Sequence, residues 1–417
     1  MILAKHPNIL RFKRRISLKK TEVLLRNYEY ILAFPYFLVL LQLLPAQEIY
    51  FTIASICMWA CLMFWILFTH FPRIKRKPFI VSLVIFLWVA VTVLLNILHL
   101  GSLSNLIYTA NTAVMLGTIF FLFSTHNNFF SKLSVYNAIT AMIVIGIISC
   151  LINIIKNYRA IFTLAAVIQV YDAKFTGLFL GRNQFGWFIY LCIVGCAILK
   201  SFYREKIHTA IFILFGINLF FTFSRAAILA TTVFILINWI DVKKPKKLIL
   251  LLTILLLIFF LYFFTDIRGI VDRFLIRSDF GSAGRFERWG KLLEVLFESN
   301  EWLIGVSPAR FKELLLSIGI EQIDNAYLEM LGSYGIVGLC LYLGLFVHLF
   351  SLTRRANLID GQAKLVASAI ISFAILGLFE SLLLFESGLI QWSATLLVVV
   401  FPKFCLDYGV KIHMTPR

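Results

Sequence analysis

The sequence predicts an all-α protein, a polytopic bundle of roughly twelve transmembrane helices at about 20 apolar residues each, with one large external loop containing short helices. Three observations carry that expectation. The chain has 417 residues of which 61% are hydrophobic and only 14% charged, against about 45–50% and about 25% in soluble domains, which excludes an ordinary soluble protein. The apolar stretches are continuous runs rather than short alternating segments, so they read as helices and not as strands of a membrane barrel. The basic residues, 39 against 21 acidic for a net charge of +18, gather in alternate connections between the runs, as the positive-inside bias demands.

Taken in order, residues 1–28 form a basic arm carrying Lys5, Arg11, Lys13, Arg14, Arg15, Lys19, Lys20 and Arg26. It reads as a topology determinant that meets anionic lipid, not as a nucleic-acid site. The apolar run behind it lacks a small-residue cleavage pattern, so the arm is expected to stay in the mature chain. Residues 29–264 hold nine expected spans, near 30–46, 49–69, 79–99, 105–124, 134–155, 184–199, 208–223, 226–240 and 248–264, with an external loop at 156–183. The large external loop follows at 265–329, then three spans within 330–405, near 330–351, 365–384 and 388–405, and a tail at 406–417.

Twelve spans put both termini on one side, and two thirds of the 39 basic residues then fall on that side, including the Arg73, Lys75, Arg76 and Lys77 loop and the Lys243, Lys244, Lys246 and Lys247 loop. That side is the cytoplasm. The positive charge therefore records orientation rather than an anionic macromolecular partner. All seven cysteines lie inside apolar runs with no CxxC spacing and read as small hydrophobic residues. No internal repeat is present, which weighs against a transporter built from two matching halves.

Function is expected where arginine stands against this trend. Arg182, in Gly181-Arg182-Asn183-Gln184, and Arg225, in Ser224-Arg225-Ala226, both fall at external helix ends. Each has two readings: a snorkelling side chain or interhelical pair, or an anion ligand. Their shared side favours the ligand. In the large loop, Gly281-Ser282-Ala283-Gly284 precedes Arg285, Arg288 and an amphipathic stretch from Trp289 to Glu298, so the small residues are expected to turn the chain before a helix. Helix N-termini and guanidinium forks both favour phosphate oxygens, which points to a lipid-linked phosphate or diphosphate held without a metal or other cofactor. Asp324, in Asp324-Asn325-Ala326-Tyr327-Leu328-Glu329, is either a helix N-cap or a base toward a sugar hydroxyl, with Asn325 orienting the substrate. Glu380 and Glu386, near the last external turn, are secondary candidates.

These motifs resemble, in order and sidedness, the O-antigen ligase and O-antigen polymerase superfamily. The shared pattern is Gly181, Asn183 and Gly186 at a helix start, Ser224-Arg225, Gly284-Arg285 to Trp289, Leu303-Ile304-Gly305, and Asp324-Asn325-x-Tyr327-Leu328 before Ser333-Tyr334-Gly335-Ile336 and Gly338, across roughly residues 175–350. The resemblance implies a GT-C-like, metal-independent glycosyltransferase of the bacterial inner membrane, multi-pass with cytoplasmic termini and a periplasmic site. Its implied substrate is an undecaprenyl-diphosphate-linked oligosaccharide, with a chain-length regulator as a candidate partner. Carried over by position, Arg225 and Arg285 match the family arginines that hold the donor diphosphate. Beside them, Arg182 and Arg288 are expected to support the diphosphate, Asp324 and Asn325 to be the catalytic pair, and Asn183, Tyr327 and Glu329 to position substrate. Ligases of the family usually carry His-Asn where this chain has Asp324-Asn325, a form more typical of polymerases. The reading is therefore polymerase first, ligase second, and a lipid-linked sugar transporter or flippase third.

Overall fold

The computed structural model describes residues 132–162, 175–202, 207–239, 282–355, 360–384 and 389–408, with isolated positions at 32, 33, 36, 57, 60, 83 and 87. Among the described residues the regular structure is entirely helical. In chain order the helices are α1 (Lys132–Phe162), α2 (Arg182–Phe202), α3 (Ile207–Thr222), α4 (Arg225–Trp239), α5 (Ser282–Glu298), α6 (Pro308–Ser317), α7 (Ala326–Arg355) and α8 (Asp360–Gly377). The last element, α9 (Leu389–Thr395), continues through a π-helical turn at Leu396–Val400 into α10 (Phe401–Tyr408). Seven of the expected spans thus fall on observed helices; those at 30–46, 49–69, 79–99, 105–124 and 248–264 lie, apart from the isolated positions above, outside the described residues.

Three helices are long and apolar enough to cross a bilayer, over Leu133–Arg159, Arg182–Ser201 and Ala326–Ser351, and four shorter apolar helices accompany them. The burial pattern on α1 shows what surrounds them. Ala138, Ile139, Met142, Ser149, Cys150 and Asn153 are buried, whereas Val144, Ile148, Leu151 and Ile155 are exposed, at the three- and four-residue spacing of one helix face. An apolar stripe on both faces suits a helix with protein on one side and lipid on the other. Ile213, Ile217 and Phe220 continue this exposed apolar surface on α3.

Between the helices the buried face is closed by small residues and paired polar groups. Ala226, Ala227 and Ala230 let α4 approach α8, and Asn238 of α4 donates to Ser368 of α8. Tyr190 of α2 pairs with Ser372 of α8 at 2.6 Å. Asn153 of α1 donates to Asn218 of α3 at 3.0 Å, and Asn157 donates to Asn153 in turn. Where no water can substitute, such pairs hold helices together, at about 0.6–2 kcal/mol each.

The amphipathic helices α5 and α6 form a separate small core from Leu292, Leu296, Val306, Phe311, Leu315, Ile320 and Ile323. The α5 helix starts at Ser282, so Ser282–Gly284 are already helical and Arg285 lies in the first turn instead of behind a turn. Likewise α1 continues to Phe162 and α7 starts at Ala326, both inside segments expected to be loop. The small core is fastened to α7 by packing, with Leu328 against it and the Phe311 ring over Gly332, and by backbone: Val306 and Ser307 N–H donate to the carbonyls of Gly332 and Ser333, and Ile336 N–H donates to Trp302 O. Two glycines permit this approach. Gly305 (φ 85°) and Gly335 (φ 67°, where α7 kinks) sit in the left-handed region, and a Cβ on Gly305 would stand 2.5 Å from the Gly335 nitrogen.

Either Gly305→Ala or Gly335→Ala is therefore expected to destabilise the protein by about 2 kcal/mol or more, through overlap added to a positive φ. Gly290→Ala, on open surface of α5, should be neutral or stabilising by up to about 1 kcal/mol. Thermal unfolding of the three variants in detergent checks the contrast.

Candidate active site

The site is built from the N-terminal turns of α4, α5 and α7 and from the turn that follows α8. The α3–α4 connection is only Phe223 and Ser224, and it is forced tight. Phe223 adopts φ 52°, held by ring contacts with Phe175 and Phe220. Ser224 is 1% exposed and packs against Gly186 of α2, where a Cβ would overlap it. This lock sets Arg225 at the first position of α4. Across from it, the first turns of α5 present Arg285, Phe286 and Trp289.

Together Arg225, Ala226, Leu229, Arg285, Phe286, Trp289 and Phe379 line a cleft of about 200 Å³. Its electrostatics are unusual for helix starts. Neither α2, α4 nor α5 has an acidic residue in its first turn, although each carries an arginine there (Arg182, Arg225 and Arg285). A helix N-terminus already bears partial positive charge, so adding a guanidinium is favourable only where an anion is to be met.

The arginines of α5 are positioned by carboxylates. Asp324 has φ 49°, a left-handed conformation that aspartate tolerates. The strand of chain leading to it is pinned: Trp289 Nε1 donates to Ile323 O at 2.7 Å and Arg288 Nη1 to Gln322 O at 2.7 Å. Asp324 Oδ2 then meets Arg288 Nη2 at 3.1 Å and Arg285 Nε at 3.6 Å. The rest of the Arg285 fork is aimed at the turn after α8, with Nη1 donating to Phe379 O at 3.0 Å and Nη2 lying 3.9 Å from Glu380 Oε1.

Asn325 is the N-cap of α7. Its Oδ1 accepts from the backbone N–H groups of Tyr327 and Leu328, both at 3.0 Å, and its Nδ2 donates to Leu378 O at 3.1 Å. The Asn325 amide nitrogen donates to Ser381 Oγ, and Ala326 N–H donates to Glu380 O, so α7 starts stapled to the 378–382 turn. Capping thus falls to Asn325 and leaves Asp324 to the arginines. Tyr327 donates its hydroxyl to Ala374 O at 2.6 Å and packs on Tyr342, between α7 and α8. Glu329 lies half-buried in the first turn of α7. Arg182 and Asn183 open α2 and are not among the residues lining the cleft.

Glu380 is the residue whose weight the sequence understated. It is 3% exposed, and burial pushes its carboxyl up to about 8 from the usual carboxylate range. Arg285 pulls the other way, Asp324 adds to the rise, and the Trp187 indole favours the charged form. That indole N–H is itself buried without an acceptor in hydrogen-bond geometry. The only sequence signal was an acid set between Phe379 and the apolar Leu382–Leu384 run with no basic neighbour.

A carboxyl raised by burial costs folding stability wherever it must ionise. The contribution is complete below the unfolded value near 4.5 and is lost as pH climbs through about 8. Glu380→Gln is accordingly expected to match the wild type in stability near pH 5 and to exceed it near pH 9 by on the order of a few kcal/mol, read by denaturant titration in detergent at the two pH values.

No curated protein matches the chain. A family model described as O-antigen ligase matches residues 210–343, a span that runs from within α3 to within α7 and includes Arg225, Arg285, Arg288 and Asp324 but not Glu380. With its apolar helices the chain is an integral membrane protein, and within residues 210–343 it is similar to the O-antigen ligase family.

Proposed function

We propose that this chain is a membrane glycosyltransferase that moves a glycan from a polyprenyl diphosphate to a hydroxyl of another lipid-linked saccharide, as a surface-polysaccharide polymerase. The observation that carries the reading is the cleft in which two guanidinium groups, Arg225 and Arg285, meet at acid-free helix starts beside Asp324. A glycosyl diphosphate already has a good leaving group, so the protein must screen its developing charge, align the incoming hydroxyl and accept one proton.

In this reading Arg225 and Arg285 clamp the diphosphate from opposite sides of the cleft, and Arg288 keeps Asp324 in place. Both ion pairs engage Asp324 Oδ2, so Oδ1 is the oxygen that takes the acceptor's proton. Phe286, Trp289 and Phe379 offer apolar and aromatic surface for the first isoprene units or the first sugar. Outside the lining of the cleft, Arg182 and Asn183 on α2 and Glu329 on α7 are assigned to the more distant parts of the substrate, with Asn325 and Tyr327 fixing the frame. The positive-inside bias of the loops supports a cytoplasmic-membrane protein whose cleft faces the outside. Asp324-Asn325 in place of His-Asn favours the polymerase. The family model's own description, O-antigen ligase, keeps transfer to a lipid A-core acceptor as the second reading.

Purified protein incubated with lipid-linked repeat units should yield glycans of increasing length; transfer to lipid A-core with no chain growth would establish the ligase instead. Asp324→Asn should lower turnover at least about 100-fold while the protein stays folded, and normal long-chain product from it would reject the proton-acceptor role. Arg285→Lys retains charge but loses the fork, so it should weaken diphosphate binding by about tenfold or more, measured by calorimetry with a short-chain polyprenyl diphosphate.

A further inference from the structure

Glu380 lies behind the cleft. Arg285 stands between the two: it lines the cleft on one side, and on the other its Nη2 is 3.9 Å from a carboxylate that is 3% exposed. The neighbouring Phe379 joins them through its own backbone, because its side chain lines the cleft while its carbonyl accepts from Arg285 Nη1. The charged groups that face Glu380 are Arg285 from α5 and Asp324 from the turn before α7, with the Trp187 indole from α2. Arg225 of α4 also lines the cleft.

One guanidinium thus serves two claimants, an anion in the cleft and the buried carboxylate. A bound anion weakens the field by which Arg285 favours the charged form of Glu380, and a buried carboxylate with less of that counter-charge holds its proton more firmly. We propose that Glu380 is a positioning residue that must be protonated for the Arg285 fork to turn to a diphosphate in the cleft that Arg225 and Arg285 line, so that wherever Glu380 is ionised binding takes up one proton. The inference rests on the diphosphate reading above. The proton comes from solvent and converts the carboxylate to the neutral acid; release of the diphosphate returns it.

The sign of the resulting pH dependence follows. With an unliganded value of about 8, Glu380 already holds its proton below that pH and binding is at its strongest. Above it, each binding event must add the proton first, so affinity falls as pH rises, by at most about tenfold per pH unit for one proton. Gln at this position mimics the protonated acid at every pH.

The test uses the full chain in detergent and farnesyl-diphospho-N-acetylglucosamine, a diester whose phosphates keep a constant charge over the range. Calorimetry is run from about pH 6.5 to about pH 9.5 in two buffers of different ionisation enthalpy. The expected result is flat affinity at the acid end, a decline above about pH 8, and uptake approaching one proton there. Glu380→Gln should bind with the wild type's acid-end affinity throughout and take up none, and Glu380→Asp should restore a pH slope. Wild-type binding that is independent of pH, or a slope retained in Glu380→Gln, overturns the inference and leaves the diphosphate reading standing. Should Glu380→Gln fail to fold, the wild type's own profile and proton count decide the matter. Wild type that binds no probe at any pH, or binding unaltered in Arg225→Gln and Arg285→Gln, removes the diphosphate reading and this inference together.

Discussion

Asp324 holds two guanidinium groups on a single oxygen, and that pairing draws together segments that are far apart along the chain. Arg285 and Arg288 come from α5, Asp324 from the turn before α7, and Glu380 from the turn after α8. These side chains are partly or fully buried, with 28% and 33% of the two arginines exposed against 16% of Asp324. Charges so placed favour a structure only when partnered. One of the two arginines, Arg285, also lines a cleft together with Arg225.

Rigidity around that cleft comes from backbone more than from side chains. The left-handed residues Phe223 and Asp324 each sit two residues before a helix, α4 and α7, and each is held by packing or hydrogen bonds. The Gly305–Gly335 contact locks the α5–α6 core against α7 without any side chain between them. Strain of this kind persists only where the surroundings over-determine it. Here it sets arginines in place at the ends of helices whose other faces are committed to protein and lipid.

Several of the grouped residues were legible from residue type and order. Arg225, Arg285, Arg288 and Asp324 stood out as charges in an apolar chain, and the structure groups them. The glycines in Leu303-Ile304-Gly305 and Ser333-Tyr334-Gly335 were visible as a motif, but their meaning was not. They are a joint between two segments, and a joint is a relation between backbones that neither segment displays alone. Asn325 and Tyr327 could be taken from order as substrate contacts, whereas their polar atoms are used on Tyr327 N, Leu328 N, Leu378 O and Ala374 O. Asp324 and Asn325 are adjacent in sequence, and which of them caps α7 depends on a backbone φ that composition does not reveal.

The sequence by itself determined that the chain belongs in a bilayer, which of its segments are apolar helices, and which charges stand against that background, because hydropathy and charge are properties of each residue wherever it lies. Tertiary structure alone decided how those charges are shared. Arg285 became the common partner of Asp324, Glu380 and the cleft, and Glu380 rose from a minor acid at a helix end to a buried carboxyl near pH 8. The physical reason is that desolvation and Coulomb energy depend on distance and on what excludes water, and both are set only when remote segments meet.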